Sequence, residues 1–305
     1  MRRFWALVRS AALQALAEPL SVILFLVAMA TVHLIPVFHY HQFGEAGRLA
    51  RECGFSALLV FGLAFVTTAA VRAVGGEIEN GTAAAALARP VPRPLFFCAR
   101  TFGVMVAFAV FCIGVSAAAL MALLSAEAGA RLAALGAPSH VWRPGLLIEL
   151  GGIVLALLGA AAAHRFGRCR FCVSASLLLA SVQPVGLAGM LLIPGAAAFV
   201  SWKIVPPLAV LACACLVFTA LAAALSVCLK PAVVSALVAG SVLLSFIAPI
   251  RAVLPDISRF WLVDRLAGGG QPLAGEMWAA VAAACLLTVF WLIVGSCLLS
   301  RREIP

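Results

Sequence analysis

Charged residues are so sparse in this chain that the stretches between them are nearly continuous hydrocarbon, and that spacing limits what it can fold into. Glu18 and Arg48 bracket an apolar run at 19–38, Glu52 and Arg72 bracket 53–71, and Arg100 and Glu127 bracket 101–126. A weaker run covers 146–163, with Glu149 near its start. The run at 171–193 is uncharged, although Pro184 interrupts it. Lys230-Pro231 divides 204–229 from 231–250, and 277–300 lies between Glu276 and Arg301. Each run approaches the roughly 20 residues that cross a bilayer. Runs of this length, rich in Ala and Leu and without two-residue alternation, satisfy their peptide groups in lipid only as helices. The sequence predicts an all-α, polytopic transmembrane bundle, one domain over 1–305 with about eight spans. The runs at 146–163 and 171–193 can instead form a re-entrant pair, so the range is six to eight.

Composition supports this. Hydrophobic residues make up 65% of the chain and charged ones 10%, against about 25% charged in soluble domains. The net charge of +10 does not point to nucleic acid, because the basic residues are scattered between apolar runs rather than gathered in a stripe. They orient the chain instead. With an inside N-terminus and eight spans, 13 of the 21 Lys and Arg residues fall in inside segments and 8 outside. That agrees with the positive-inside rule, although Arg251, Arg259 and Arg265 count against it. Both termini are expected in the cytoplasm, with the chain in the plasma or inner membrane. Residues 1–18 place Phe4, Trp5, Leu7 and Val8 against Arg2, Arg3 and Arg9, the pattern of an interfacial amphipathic helix. Ala28-Met29-Ala30 resembles a signal-peptide cleavage site. Glu18 and the length of the preceding segment argue for retention.

Chemistry is thinly marked. There is no HExxH pair, no GxSxG elbow and no P-loop, since the two lysines lie in Trp202-Lys203-Ile204 and Leu229-Lys230-Pro231. No catalytic residue, cofactor or metal is expected. His33, His39 and His41 are dense enough to raise the question of a metal, but an interfacial cluster at a helix end is the simpler reading. The Cys169–Cys172 CxxC lacks the second pair a zinc site needs. The other cysteines read mostly as small core hydrophobes rather than as a disulfide framework. Glu149 is the carboxylate placed nearest membrane depth, where such groups are costly and often functional. A shift of one helical turn would put it at the interface.

The most informative stretch is 72–100, read as a cytoplasmic loop. Within it, Asn80 or Thr82 can cap a short helix over 83–88, with Glu77 and Glu79 beside its positive end and Pro90 and Pro92 to stop it. Glu77…Gly81-Thr82…Arg89-Pro90-Val91-Pro92-Arg93, followed by Ala99-Arg100-Thr101-Phe102-Gly103, resembles the coupling segment of permease subunits of the type-2 ABC transporter family. The segment from Leu254 to Asp264 and the Ser300-Arg301-Arg302-Glu303 ending are similar to that family's C-terminal end, and the N-terminal helix to its elbow helix. Between about 130 and 200 the likeness is poor, and the family commonly has six spans.

The resemblance implies an exporter subunit working as a dimer with a second permease copy or paralogue, with ATP hydrolysed on a separate ATP-binding cassette subunit. It places the contact with that subunit at Glu77, Glu79, Gly81, Thr82, Arg89 and Arg93. Glu77 and Glu79 would meet basic groups of the partner, and Arg89 and Arg93 acidic groups or lipid phosphates. The alternatives are an ion-coupled secondary transporter, whose usual repeats and intramembrane carboxylates are not evident here, and a non-transporting membrane scaffold.

Overall fold

A computed structural model of the chain describes residues 2–38, 47–82, 92–134, 144–167, 169–192, 202–244, 257–262, 266 and 274–302. These form helices, with no strand among the described residues. In chain order they are α1 (Arg2–Ala17), α2 (Pro19–Phe38), α3 (Arg48–Glu79), α4 (Arg93–Ala134), α5 (Pro144–Gly167), α6 (Phe171–Leu191), α7 (Val205–Ser226), α8 (Pro231–Leu244), α9 (Ile257–Phe260) and α10 (Ala274–Arg301). Six helical segments are long and apolar enough to cross a bilayer: α3, α5, α6, α10, Arg93–Ala128 within α4, and Trp202–Ser226 around α7. α1 and α2 pass the same test as one bent pair and make a seventh. The described part of α8 has 14 residues, about 21 Å of helix against a hydrocarbon core of roughly 30 Å. α5 and α6 each reach spanning length, so the middle of the chain holds two long helices rather than a short re-entrant pair.

The interior is built on phenylalanine. Phe25 of α2 meets Phe111 of α4 at a ring separation of 4.7 Å, and Phe65 of α3 stacks on Phe111 at 5.2 Å. All three are fully buried. Small residues let the backbones close around them, as expected where lipid supplies no hydrophobic drive between helices. A Cβ added at Gly54 would lie 2.6 Å from Ala119 Cβ, and one at Gly62 within 3.6 Å of both Phe108 and Cys215. Gly75 similarly approaches the Ser226 carbonyl. These contacts set α3 antiparallel to α4 and parallel to α7. Outward faces carry Leu155, Leu158, Val185, Trp278, Leu286 and Ile293, all exposed. Apolar surface spread this evenly requires lipid around it. The chain is a multi-pass, all-α membrane protein.

Two expectations change. The N-terminal helix occupies 2–17 as predicted, and part of its apolar face packs on protein while Trp5 and Leu13 stay exposed. Val8, Ala11, Ala12, Ala15 and Leu16 are buried, and Gly103 of α4 passes so close that a Cβ there would sit 2.5 Å from the Val8 carbonyl oxygen. The chain bends by 64° between α1 and α2, at Glu18-Pro19, where proline lacks the amide and restricts its predecessor. The supposed 72–100 loop is also shorter. α3 continues through a π-helical segment, Val71–Gly76, into Glu77–Glu79, and α4 already begins at Arg93. Gly75-Gly76 looks like a loop signal, yet close packing on Ser226 uses its lack of a side chain within a helix. Gly81, at φ +69°, turns the chain out of α3 in the left-handed region that glycine tolerates best.

Substituting Gly103→Leu removes the crossing point of α1 and α4. Overpacking of this kind costs about 1–3 kcal/mol, so a thermal or SDS unfolding titration in detergent should show a clearly lower midpoint. A Gly103→Leu protein as stable as the parent would contradict the described contact.

Candidate functional site

Two polar constellations interrupt the apolar bundle, one at each end. At the end where α1 lies, Glu77 of α3 and Arg100 of α4 form an ion pair through Oε1 and Nη2, with each side chain about nine-tenths buried. Arg100 Nη1 also donates to Ser10 Oγ and to Gln14 Oε1 of α1, both at 3.3 Å. Its guanidinium carbon stands 5.5 Å from the centre of the Phe96 ring. A second pair, Arg72 with Glu18, joins α3 to the α1–α2 bend. One arginine thus ties three helices together. Either charge alone in this setting would be costly, whereas the pair with added hydrogen bonds is sustainable.

Beside this network lies a groove of about 640 Å³, lined by Gln14, Glu18, Arg72, Glu77, Glu79 and Thr82 among others. Glu79, Asn80, Gly81 and Thr82 are exposed at its rim. Thr82 Oγ1 donates to the Glu77 carbonyl at 3.2 Å, which holds the exit from α3 against its last turn. Arg93 opens α4 and is half-buried. Its Nη1 donates to the carbonyls of Ser300 at 3.1 Å and Arg302 at 3.0 Å, so it satisfies orphan carbonyls at the end of α10.

The six predicted contact residues therefore separate. Glu79, Gly81 and Thr82 face outward together. Glu77 and Arg93 do not present their charges as expected, since Glu77 is paired with Arg100 and Arg93 binds the α10 terminus. Arg89 and the short helix expected over 83–88 lie outside the described residues. Sequence reasoning missed Arg100 as a partner, having used it to mark where a span began. Its place after Phe96-Phe97-Cys98-Ala99, inside an apolar context, was the available signal.

At the opposite end, Glu149 of α5 is 2% exposed, with Gln183 of α6 and His33 of α2 around it. Gln183 Nε2 donates to Glu149 Oε1 at 2.9 Å, and His33 Nε2 stands 3.4 Å from Glu149 Oε2. Gln183 Nε2 is also 3.5 Å from Met29 Sδ. Glu149 is thus buried inside the bundle, where three helices each contribute one polar group. The α6 helix runs unbroken past Pro184. His33 belongs to this cluster; His39 and His41 lie outside the described residues.

Among the described residues no group of three His, Cys, Asp or Glu side chains could hold a metal. All ten cysteines are free thiols. In the α5–α6 turn, His164 Nδ1 donates to the Cys169 carbonyl at 2.9 Å. No protein-family model matches this chain, and no curated protein or solved structure matches it. Fold and site define the class, a polytopic membrane protein with buried polar ties at both ends, and its activity must be argued from the ties themselves.

Replacing Glu149 separates a structural carboxylate from a dispensable one. Glu149→Ala leaves Gln183 and His33 facing a void and should cost about 1–3 kcal/mol, whereas Glu149→Gln keeps a partner for Gln183 and should lose much less. Unfolding titrations in detergent that find both variants equal to the parent would remove the cluster from the account.

Proposed function

We propose that this chain is the membrane-spanning permease subunit of an exporting ATP-binding cassette transporter, energised by a separate ATPase subunit that docks where α3 leaves the bundle. In this reading α1 and both termini face the cytoplasm of a plasma or inner membrane, and two permease chains enclose the path. The supporting observation is mechanical. Glu79, Gly81 and Thr82 stand exposed at and just beyond the end of α3, and immediately behind them Glu77 is held by Arg100, which also grips α1. Force applied to the exposed turn is delivered to α1, α3 and α4 at once.

The division of labour follows from those positions. Glu79, Gly81 and Thr82, with Arg89 beyond them, make the contact; Glu77 and Arg93 transmit it within the chain. Approach of two ATPase subunits would tilt α3 and α4 through the Glu77–Arg100 tie. The ligand-dependent step needs a differential affinity of the ATPase for the two tilts, and a helix end anchored by an ion pair passes the movement on where a free loop would absorb it. The residues carrying this reading also match the family resemblance at Gly81-Thr82.

A second reading, an ion-coupled secondary transporter, draws on the buried Glu149, His33 and Gln183, since ionisable groups inside a membrane bundle commonly mark ion pathways. One experiment weighs both. The chain is co-expressed with a candidate ATP-binding subunit, and association and transport are measured. Glu79→Lys should weaken association about tenfold or more, the loss expected for one charge-assisted contact. Arg100→Ala should retain association but lose ATP-driven transport. Failure of any ATP-binding subunit to associate, together with transport that stops when the ion gradient is dissipated, would favour the second reading and overturn the first.

A further inference from the structure

Between α4 and α7 the bundle leaves a slender apolar groove of about 550 Å³. Phe102, Val106, Ala109 and Ile113 line it from α4, and Ala209 and Ala212 from α7. Ser116 supplies the one hydroxyl among its described lining residues. The four α4 residues recur at offsets of four, three and four, so they form one stripe along the helix. From Phe102 to Ser116 the stripe rises about 21 Å, some two-thirds of a hydrocarbon core of roughly 30 Å.

Phe102, Val106 and Ile113 are exposed along it, so the groove opens sideways to the surrounding hydrocarbon. An extended acyl chain can lie along the stripe in contact with both helices.

Its rim supplies the second observation. Phe102, at the end nearest α1, contacts Phe4 with ring centres 6.3 Å apart and Trp5 at 6.2 Å. Trp5 is 57% exposed. Arg2 and Arg9 share the Trp5 face of α1, at offsets of three and four residues, and both are exposed. Their backbone positions lie about 10 Å apart along α1, one on either side of Trp5, which itself meets Phe102 at the mouth of the groove. Tryptophan and arginine in this order are what the headgroup level of a bilayer accommodates, and the paired positive charge selects an anionic phosphate.

We propose that the α4–α7 groove binds one acyl chain of an anionic phospholipid whose phosphate is held by Arg2 and Arg9 beside Trp5. The bound lipid fills the slot between α4 and α7 and fastens α1 to the membrane surface. Its occupancy is a property of the chain by itself, so this inference and the ATPase reading fail separately.

The test reconstitutes the full chain in vesicles of equal anionic phosphatidylglycerol and zwitterionic phosphatidylcholine, then identifies lipids retained after mild detergent extraction by native mass spectrometry. The parent should retain one phosphatidylglycerol. Ala212→Trp, which fills the groove, should retain none. The double variant Arg2→Glu and Arg9→Glu alters only exposed positions and should bind lipid with its headgroup preference reduced about tenfold. An unchanged preference in the double variant would overturn the assignment. So would equal retention by the parent and Ala212→Trp, or cross-linking of two copies through α4 and α7 with no lipid retained.

Discussion

The ion pair between Glu77 and Arg100 is the contact on which the end of the bundle nearest α1 depends. It lies where α1, α3 and α4 converge, about nine-tenths buried at the edge of the polar groove. Neither partner is more than slightly exposed. Arg100 also reaches Ser10 and Gln14 through Nη1, so that one guanidinium fixes the position of α1 as well as the ends of two spanning helices. α1 accordingly lies against α4 at Gly103. The exit of the chain toward 83–91 starts from a fixed base.

The far end uses a different device. α5 and α6 form the outer hairpin, with few buried residues of their own, and Leu147, Leu155 and Leu158 of α5 face outward. What α5 contributes inward includes Glu149, and its partners come from α6 and α2. A hydrogen-bonded carboxylate on a peripheral helix resists sliding along the helix axis, which uniform hydrocarbon packing does not. The bundle thus has a phenylalanine centre around Phe25, Phe65 and Phe111, and polar ties at its two ends that fix rotation and register.

Much of this fold was legible in the sequence. The first apolar run coincides with α2, the fifth begins at Phe171 as α6 does, and Lys230-Pro231 divides α7 from α8. Hydrocarbon length and proline placement carry that information locally. Charge was the less faithful guide. Arg72, Glu77 and Arg100 served as markers of a water-filled loop, whereas each is neutralised by a partner within the chain and sits on a helix. The His33–Glu149 and Gln183–Glu149 contacts join residues far apart in sequence, and periodicity assigns a residue to a face without naming what the face meets. The π-helical stretch at Val71–Gly76 was hidden for a related reason: paired glycines signal a turn locally, while here Gly75 serves the approach of α3 to Ser226.

The most direct test of the account is a double-mutant cycle on Glu77 and Arg100, read by reversible unfolding in detergent. Each single alanine variant should lose about 3–5 kcal/mol, because it strands a buried charge. The double variant should lose clearly less than the sum of the two single losses, with a coupling energy of about 2–3 kcal/mol. Losses that simply add, with no coupling between the two positions, would show that the pair does not hold this end of the bundle together.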